Sequence, residues 1–169
     1  MRVSSLCLIA IALVCVVAAM TLAPSAQGEE FPLQAGVTVA PSDEAVYGAR
    51  VIACDRCIGA EEAVGAPDGR GAIVLAGGSV TLELARSISG CGLVVVWAAK
   101  GGWGAGKFRV YVSDNAETWE EIGGRTCTPH YRVYELDLDR GRAVRYVRIE
   151  HDGGWVSAVL VDALQAKGE

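Results

Sequence analysis

The run Gly101-Gly102-Trp103-Gly104-Ala105-Gly106-Lys107 repeats the spacing of a phosphate-binding loop: a glycine, four residues, then Gly-Lys. Such a loop also needs a Ser or Thr next, to hold magnesium, and a helix whose N-terminus faces the phosphates. Here Phe108 follows and opens a strand-like alternation, so phosphate chemistry is excluded. What remains is a glycine-rich loop with Trp103 between Lys100 and Lys107. An indole placed there either stacks on a sugar ring or folds back over the end of its domain. Trp155 follows Asp152-Gly153-Gly154, and His130 with Tyr131 follows Pro129, giving two more polar-aromatic loops. Trp103, Trp155, His130 and Tyr131 are therefore the candidate ligand contacts.

Catalysis would need a nucleophile beside a base, or paired carboxylates in different environments. His130 and His151 are the two histidines, and neither stands in a triad or metal motif. No Gly-x-Ser-x-Gly occurs, and the acidic residues fall mostly on alternate positions of strand-like runs. The sequence predicts a protein that is not an enzyme.

Removing an N-terminal leader with Cys7 and Cys15 leaves Cys54, Cys57, Cys91 and Cys127. An even count in an oxidising compartment favours two disulfides, with three connectivities open. The favoured one closes Cys54-Asp55-Arg56-Cys57 on itself and joins Cys91 to Cys127. A redox Cys-x-x-Cys would open a helix, and none is predicted after Cys57 before Pro67. A zinc ribbon pairs two close knuckles, whereas Cys91 and Cys127 stand alone.

The elements that position these residues begin with the compartment. Arg2 precedes an apolar run from Leu6 to about Leu22, and small residues end at Ala26-Gln27-Gly28, the pattern of a cleavable signal peptide over 1–28. The mature chain is then secreted, extracellular or in the cell envelope, with no membrane span. Residues 29–47 form a lead-in segment and 48–169 one domain, a size that buries one sizeable core. Cleavage removes Arg2 and no acid, so the net charge of −5 becomes more negative, and nucleic acid is excluded as a partner.

Along 48–169 the apolar period is two. Val80, Leu82 and Leu84 alternate with Thr81 and Glu83, giving one buried and one wet face. Phe108, Val110 and Val112 alternate likewise, as do Tyr134, Leu136 and Leu138, then Val147 and Ile149. Leu93-Val94-Val95-Val96-Trp97 and Val159-Leu160-Val161 read as strands covered on both sides. Turn signals such as Pro67-Asp68-Gly69, Gly77-Gly78, Gly90-Cys91-Gly92 and Ser113-Asp114-Asn115 separate these runs. Roughly eight antiparallel strands at that spacing predict an all-β jelly-roll β-sandwich. Trp119 is assigned to its core, and the Arg145 head to water.

In order, Ala63-Val64-Gly65-Ala66-Pro67-Asp68-Gly69, Gly78 to Leu84, Val110-Tyr111-Val112-Ser113-Asp114, Thr118 to Gly123, Val144 to Ile149 and Val161-Asp162-Ala163 resemble the discoidin-like, or coagulation factor 5/8 type C, branch of the galactose-binding-like domains. The resemblance spans about Ala60 to Ala166. It implies adhesion or recognition of carbohydrate, a cell-surface glycoconjugate or a lipid headgroup, through loops at one end of the sandwich. It also implies a possible structural calcium, with Asp68 and Asp162 as the metal candidates. The sequence departs from the family at Arg70-Gly71-Ala72-Ile73-Val74, where an Asn, a Thr and a Trp are usual, and it has no cysteine near its C-terminus. The leading expectation is a secreted, non-catalytic carbohydrate-binding module. The alternative is a structural or protein-interaction domain of the envelope, with a protein partner and no small ligand.

Overall fold

Alternating branched residues dominate the chain after Ala45, and the strands they form are long. The structure, a computed structural model, describes residues 45–102, 106–153 and 157–168. Among the described residues six strands, β1 (Val46–Ile58), β2 (Ala72–Gly102), β3 (Gly106–Ser113), β4 (Glu120–Cys127), β5 (Arg132–His151) and β6 (Ser157–Gly168), accompany one short 3-10 turn, Ala60–Ala63. All pairings are antiparallel. Among the described residues no helix is long and apolar enough to cross a membrane.

The sequence predicts more and shorter strands, because Gly77-Gly78 and Gly90-Cys91-Gly92 read as turns. In the structure the chain carries its strand state through these corners with register shifts, so β2 serves both layers. Bulges of this kind bend a strand without ending it. Residues 79–84 of β2 pair with β1 on one side and with 146–150 of β5 on the other, and β5 then pairs with β3, and β3 with β4. Residues 92–102 of β2 pair with 132–138 of β5 and with β6, whose residues 158–161 also pair with 72–75. Val46 and Tyr47 join β6, so the first strand begins inside the segment assigned to the lead-in.

Both layers supply one core. Val80, Leu82, Phe108, Val110 and Val147 from the first share a buried cluster with Val94, Val96, Leu136 and Leu164 from the second. Fully burying each such side chain contributes about 1.5–3 kcal/mol. Val95 turns the other way and packs with Ala163, Tyr131 and Val133, so the Leu93–Val96 run is covered on both sides as its composition predicts. The wet face expected on 79–84 is not wet: Thr81 and Glu83 are only 3% and 7% exposed. Strands on both sides narrow that face, and Glu83 lies under two arginines, accepting from Arg50 Nε at 2.9 Å and from Arg145 Nε at 2.8 Å. Arg145 keeps an exposed head, as expected.

Candidate functional site at one end of the sandwich

Strand register decides which loops meet. Gly102 pairs with Ser157, Gly106 with Cys127, Ala98 with Arg132, and Phe108 with His151. Two loop bonds tighten the same end: Lys100 N–H donates to Thr128 O at 2.9 Å, and Asp152 N–H to Lys107 O at 2.8 Å. His130 and Tyr131 therefore share one end with Gly102, Gly106, Gly153 and Ser157, the residues flanking the two tryptophan-bearing segments. Trp103 and Trp155 themselves lie outside the described residues.

Two open clefts adjoin at this end. One, of about 350 Å³, is lined by Asp55, Ser79, Arg109, Glu150, His151 and Asp152, and the next, of about 530 Å³, by Arg56, Ala76, Gly77 and Gly153. Arg109 donates to Asp152 Oδ2 from Nε at 3.0 Å and from Nη2 at 2.7 Å, which raises its already high pKa and keeps the guanidinium charged. His151 Nε2 lies 3.1 Å from Ser157 Oγ. That pair has the atoms of a base and a nucleophile, and its residues are buried, His151 2% and Ser157 4% exposed. Burial lowers the His151 pKa, against the Leu75 backbone and the Asp152 charge.

The structure brings together the two residues assigned to calcium, Asp68 and Asp162. Asp162 is 1% exposed. Its Oδ1 accepts the Asp68 N–H at 3.1 Å, and its Oδ2 accepts the Gly69 N–H at 3.0 Å together with the Tyr131 hydroxyl. Asp68 turns its own Oδ1 to the Arg70 N–H at 2.9 Å, an Asx turn. Gly69 has φ +88°, and a Cβ on Gly71 would stand 2.6 Å from Val161 O, which is how the loop packs onto β6. Burial pushes the Asp162 pKa up, against the pull of the Tyr131, Asp68 and Gly69 donors. Burial, then the Asp162 bond and charge, raises that of Tyr131. Calcium takes six to eight oxygens, and here both Asp162 oxygens face hydrogen-bond donors. Among the described residues no group of three acidic, histidine or cysteine side chains could hold a metal.

Cys54 and Cys57 form a disulfide, the first half of the favoured pairing. The second half is corrected, because Cys127 is a free, buried thiol. It sits opposite Gly106 at the loop end, whereas Gly92, next to Cys91, pairs with Leu138 and Gly168 near the far end. Roughly ten residues of strand, at about 3.3 Å each, separate the two positions, and a disulfide needs Cα atoms within about 7 Å. The Cys91 side chain lies outside the described residues.

Sequence reasoning missed an aromatic site at the opposite end. Trp119 is half-buried, not core, with the Arg148 guanidinium over its ring at 4.4 Å from the centroid, and the same group lies 5.1 Å from that of Tyr111. Trp119 precedes the largely exposed strand β4 and so stays on the outer face. The turn before it is built by Ser113 Oγ, which accepts the Ala116 N–H at 2.9 Å, and by Asn115 Oδ1, which accepts those of Glu117 and Thr118 at 2.9 and 3.0 Å. A cleft of about 710 Å³ opens there, lined by Asp114, Thr118, Trp119, Glu120, Gly141 and Ala143. The outward parity of Tyr111 and Arg148 was the available signal, since their strands alternate cleanly.

No family model and no curated protein matches the chain. Solved structures do resemble it. A mutant of a family 29 carbohydrate-binding module aligns at TM-score 0.51 and 16% identity, over 72% of this chain and 82% of that one. A second, from a study of ligand recognition by family 29 modules, aligns at TM-score 0.51 and 18% identity, over 72% and 81%. The likeness is one of fold: the β-sandwich architecture of this chain is one that carbohydrate-binding modules also use.

Proposed function

We propose that this chain is a secreted, non-catalytic carbohydrate-binding module that contacts its glycan with loops at one end of the sandwich. One observation carries the reading: register gathers the 128–131 loop and the flanks of 103–105 and 154–156 at a single end, beside clefts lined by charged side chains. Indoles and phenols stack on sugar rings while carboxylates and guanidinium groups bind hydroxyls, which is the chemistry this composition offers. Trp103 and Trp155 are the stacking surfaces of this reading, and His130 and Tyr131 its polar-aromatic contacts. The fold shared with family 29 modules supports the reading, as does the discoidin-like order of motifs, which implies the same class of ligand. The signal-like leader supports an extracellular or envelope location.

Glycan-array binding by the mature chain tests this. Binding that falls at least tenfold in Trp103→Ala and Trp155→Ala supports it, and binding unchanged in both removes the assignment of these loops.

A second reading has its own observation. Ile58 faces Ile73 across the β1–β2 pairing, and at 59% and 39% exposed they form an apolar edge with Leu75. Such an edge suits a protein partner in the envelope. A chain that binds no glycan, and whose partner is lost in Ile58→Ser, would be a structural or adhesion module instead.

A further inference from the structure

We infer that the Asp162 carboxylate closes the 67–70 loop without a metal, and that it ties this loop to Tyr131 of the 128–131 loop. A calcium site would turn carboxylate and carbonyl oxygens inward around one cation, leaving the N–H groups pointing away. Here the polarity is reversed. Two successive loop amides, of Asp68 and Gly69, point at a buried carboxylate, one to each oxygen, at 3.1 and 3.0 Å. The Tyr131 hydroxyl is the third donor, arriving from the 128–131 loop, so residues 31 and 94 positions from Asp162 meet on one side chain. Amides paired in this way form an anion-holding concavity, with the carboxylate as the resident anion. The Asp68 carboxylate is engaged in its own turn, with Arg70 N–H as the donor.

Burial of Asp162, 1% exposed, makes these bonds matter, because little water reaches its carboxylate to replace a donor that is lost. Asp162→Asn keeps the shape but puts an NH₂ group against a donor, which opens the loop. The inference concerns loop closure alone and does not need the glycan reading, and its assays are separate from glycan binding.

The test is thermal melting and amide hydrogen exchange of the mature chain in excess calcium and in excess EDTA. Expected are the same Tm in both solutions, slow exchange at the Asp68 and Gly69 amides in both, and exchange at those amides faster by tenfold or more in Asp162→Asn. Tyr131→Phe removes one donor with little change of volume and speeds the same amides by a smaller factor, which keeps the inference testable if Asp162→Asn does not fold. A Tm raised by calcium and lowered by EDTA, or Asp68 and Gly69 amides whose exchange is indifferent to both substitutions, would overturn it.

Discussion

The Arg148 guanidinium lies 4.4 Å from the centre of the Trp119 ring, and the same group reaches Tyr111 on the neighbouring strand. Arg148 is one residue from Val147 and Ile149, both fully buried, so the backbone that fixes the core also fixes this stack. Cation-to-ring contacts of this kind contribute about 0.5–2 kcal/mol, depending on how far they are desolvated. Arg148→Ala therefore lowers stability by about 1 kcal/mol, and uncovering the Trp119 indole shifts tryptophan emission to the red. Chemical denaturation and fluorescence check it, with Trp119→Phe as the control that removes the shift.

Glu83 gives a dependence on acid. Its bonds from Arg145 and Arg50 hold its carboxyl below the ordinary 4.5. A folded-state pKa below the unfolded one contributes stability that is present above the ordinary value and is lost as pH falls through the depressed one. Glu83→Gln should melt below the parent at neutral pH, with the gap closing as the pH is lowered beneath about 4.5. Melting curves across that window decide it, and a gap independent of pH would contradict the ionic assignment.

His151 acts in a milder range. Burial holds its pKa below the ordinary 6.5, so the folded protein resists the proton that the unfolded chain takes up. Stability is then full above about 6.5 and declines as pH falls through the depressed value. Replacing His151 with Gln should flatten the Tm profile between neutral pH and the onset of carboxylate titration.

Cys127 is predicted to be inert while the chain is folded. Burial pushes its thiol up to about 11, which leaves almost no thiolate at neutral pH. Alkylation mapped by mass spectrometry should leave Cys127 unmodified in native buffer and label it in denaturant, while Cys54 and Cys57 stay protected until reduced.

Much of this fold could be read in the sequence, because a half-buried strand writes its burial into every second residue. Phe108, Val110 and Val112 are buried with Lys107 and Arg109 exposed, as their alternation predicts. Corners were less legible. Glycine pairs that end a strand in a flat hairpin here only bend β2 between layers, a difference set by pairing partners distant in sequence. Trp119 was misplaced for a related reason: bulk and apolarity favour the core, but the strand edge beside it and the charge of Arg148 offered a second stable setting. The approach of Pro67-Asp68-Gly69 to Asp162 followed from the resemblance. The direction of the hydrogen bonds there did not, since the resemblance implies that two carboxylates are near without saying whether they face a cation or amides.

The most direct measurement is an amide chemical-shift titration of the labelled mature chain with the oligosaccharide that binds best on the array. Shifts concentrated in 100–107, 128–131 and 152–157 are the predicted result. Shifts concentrated instead around Trp119 and residues 141–144, or none at saturating sugar, would contradict glycan recognition at the loop end.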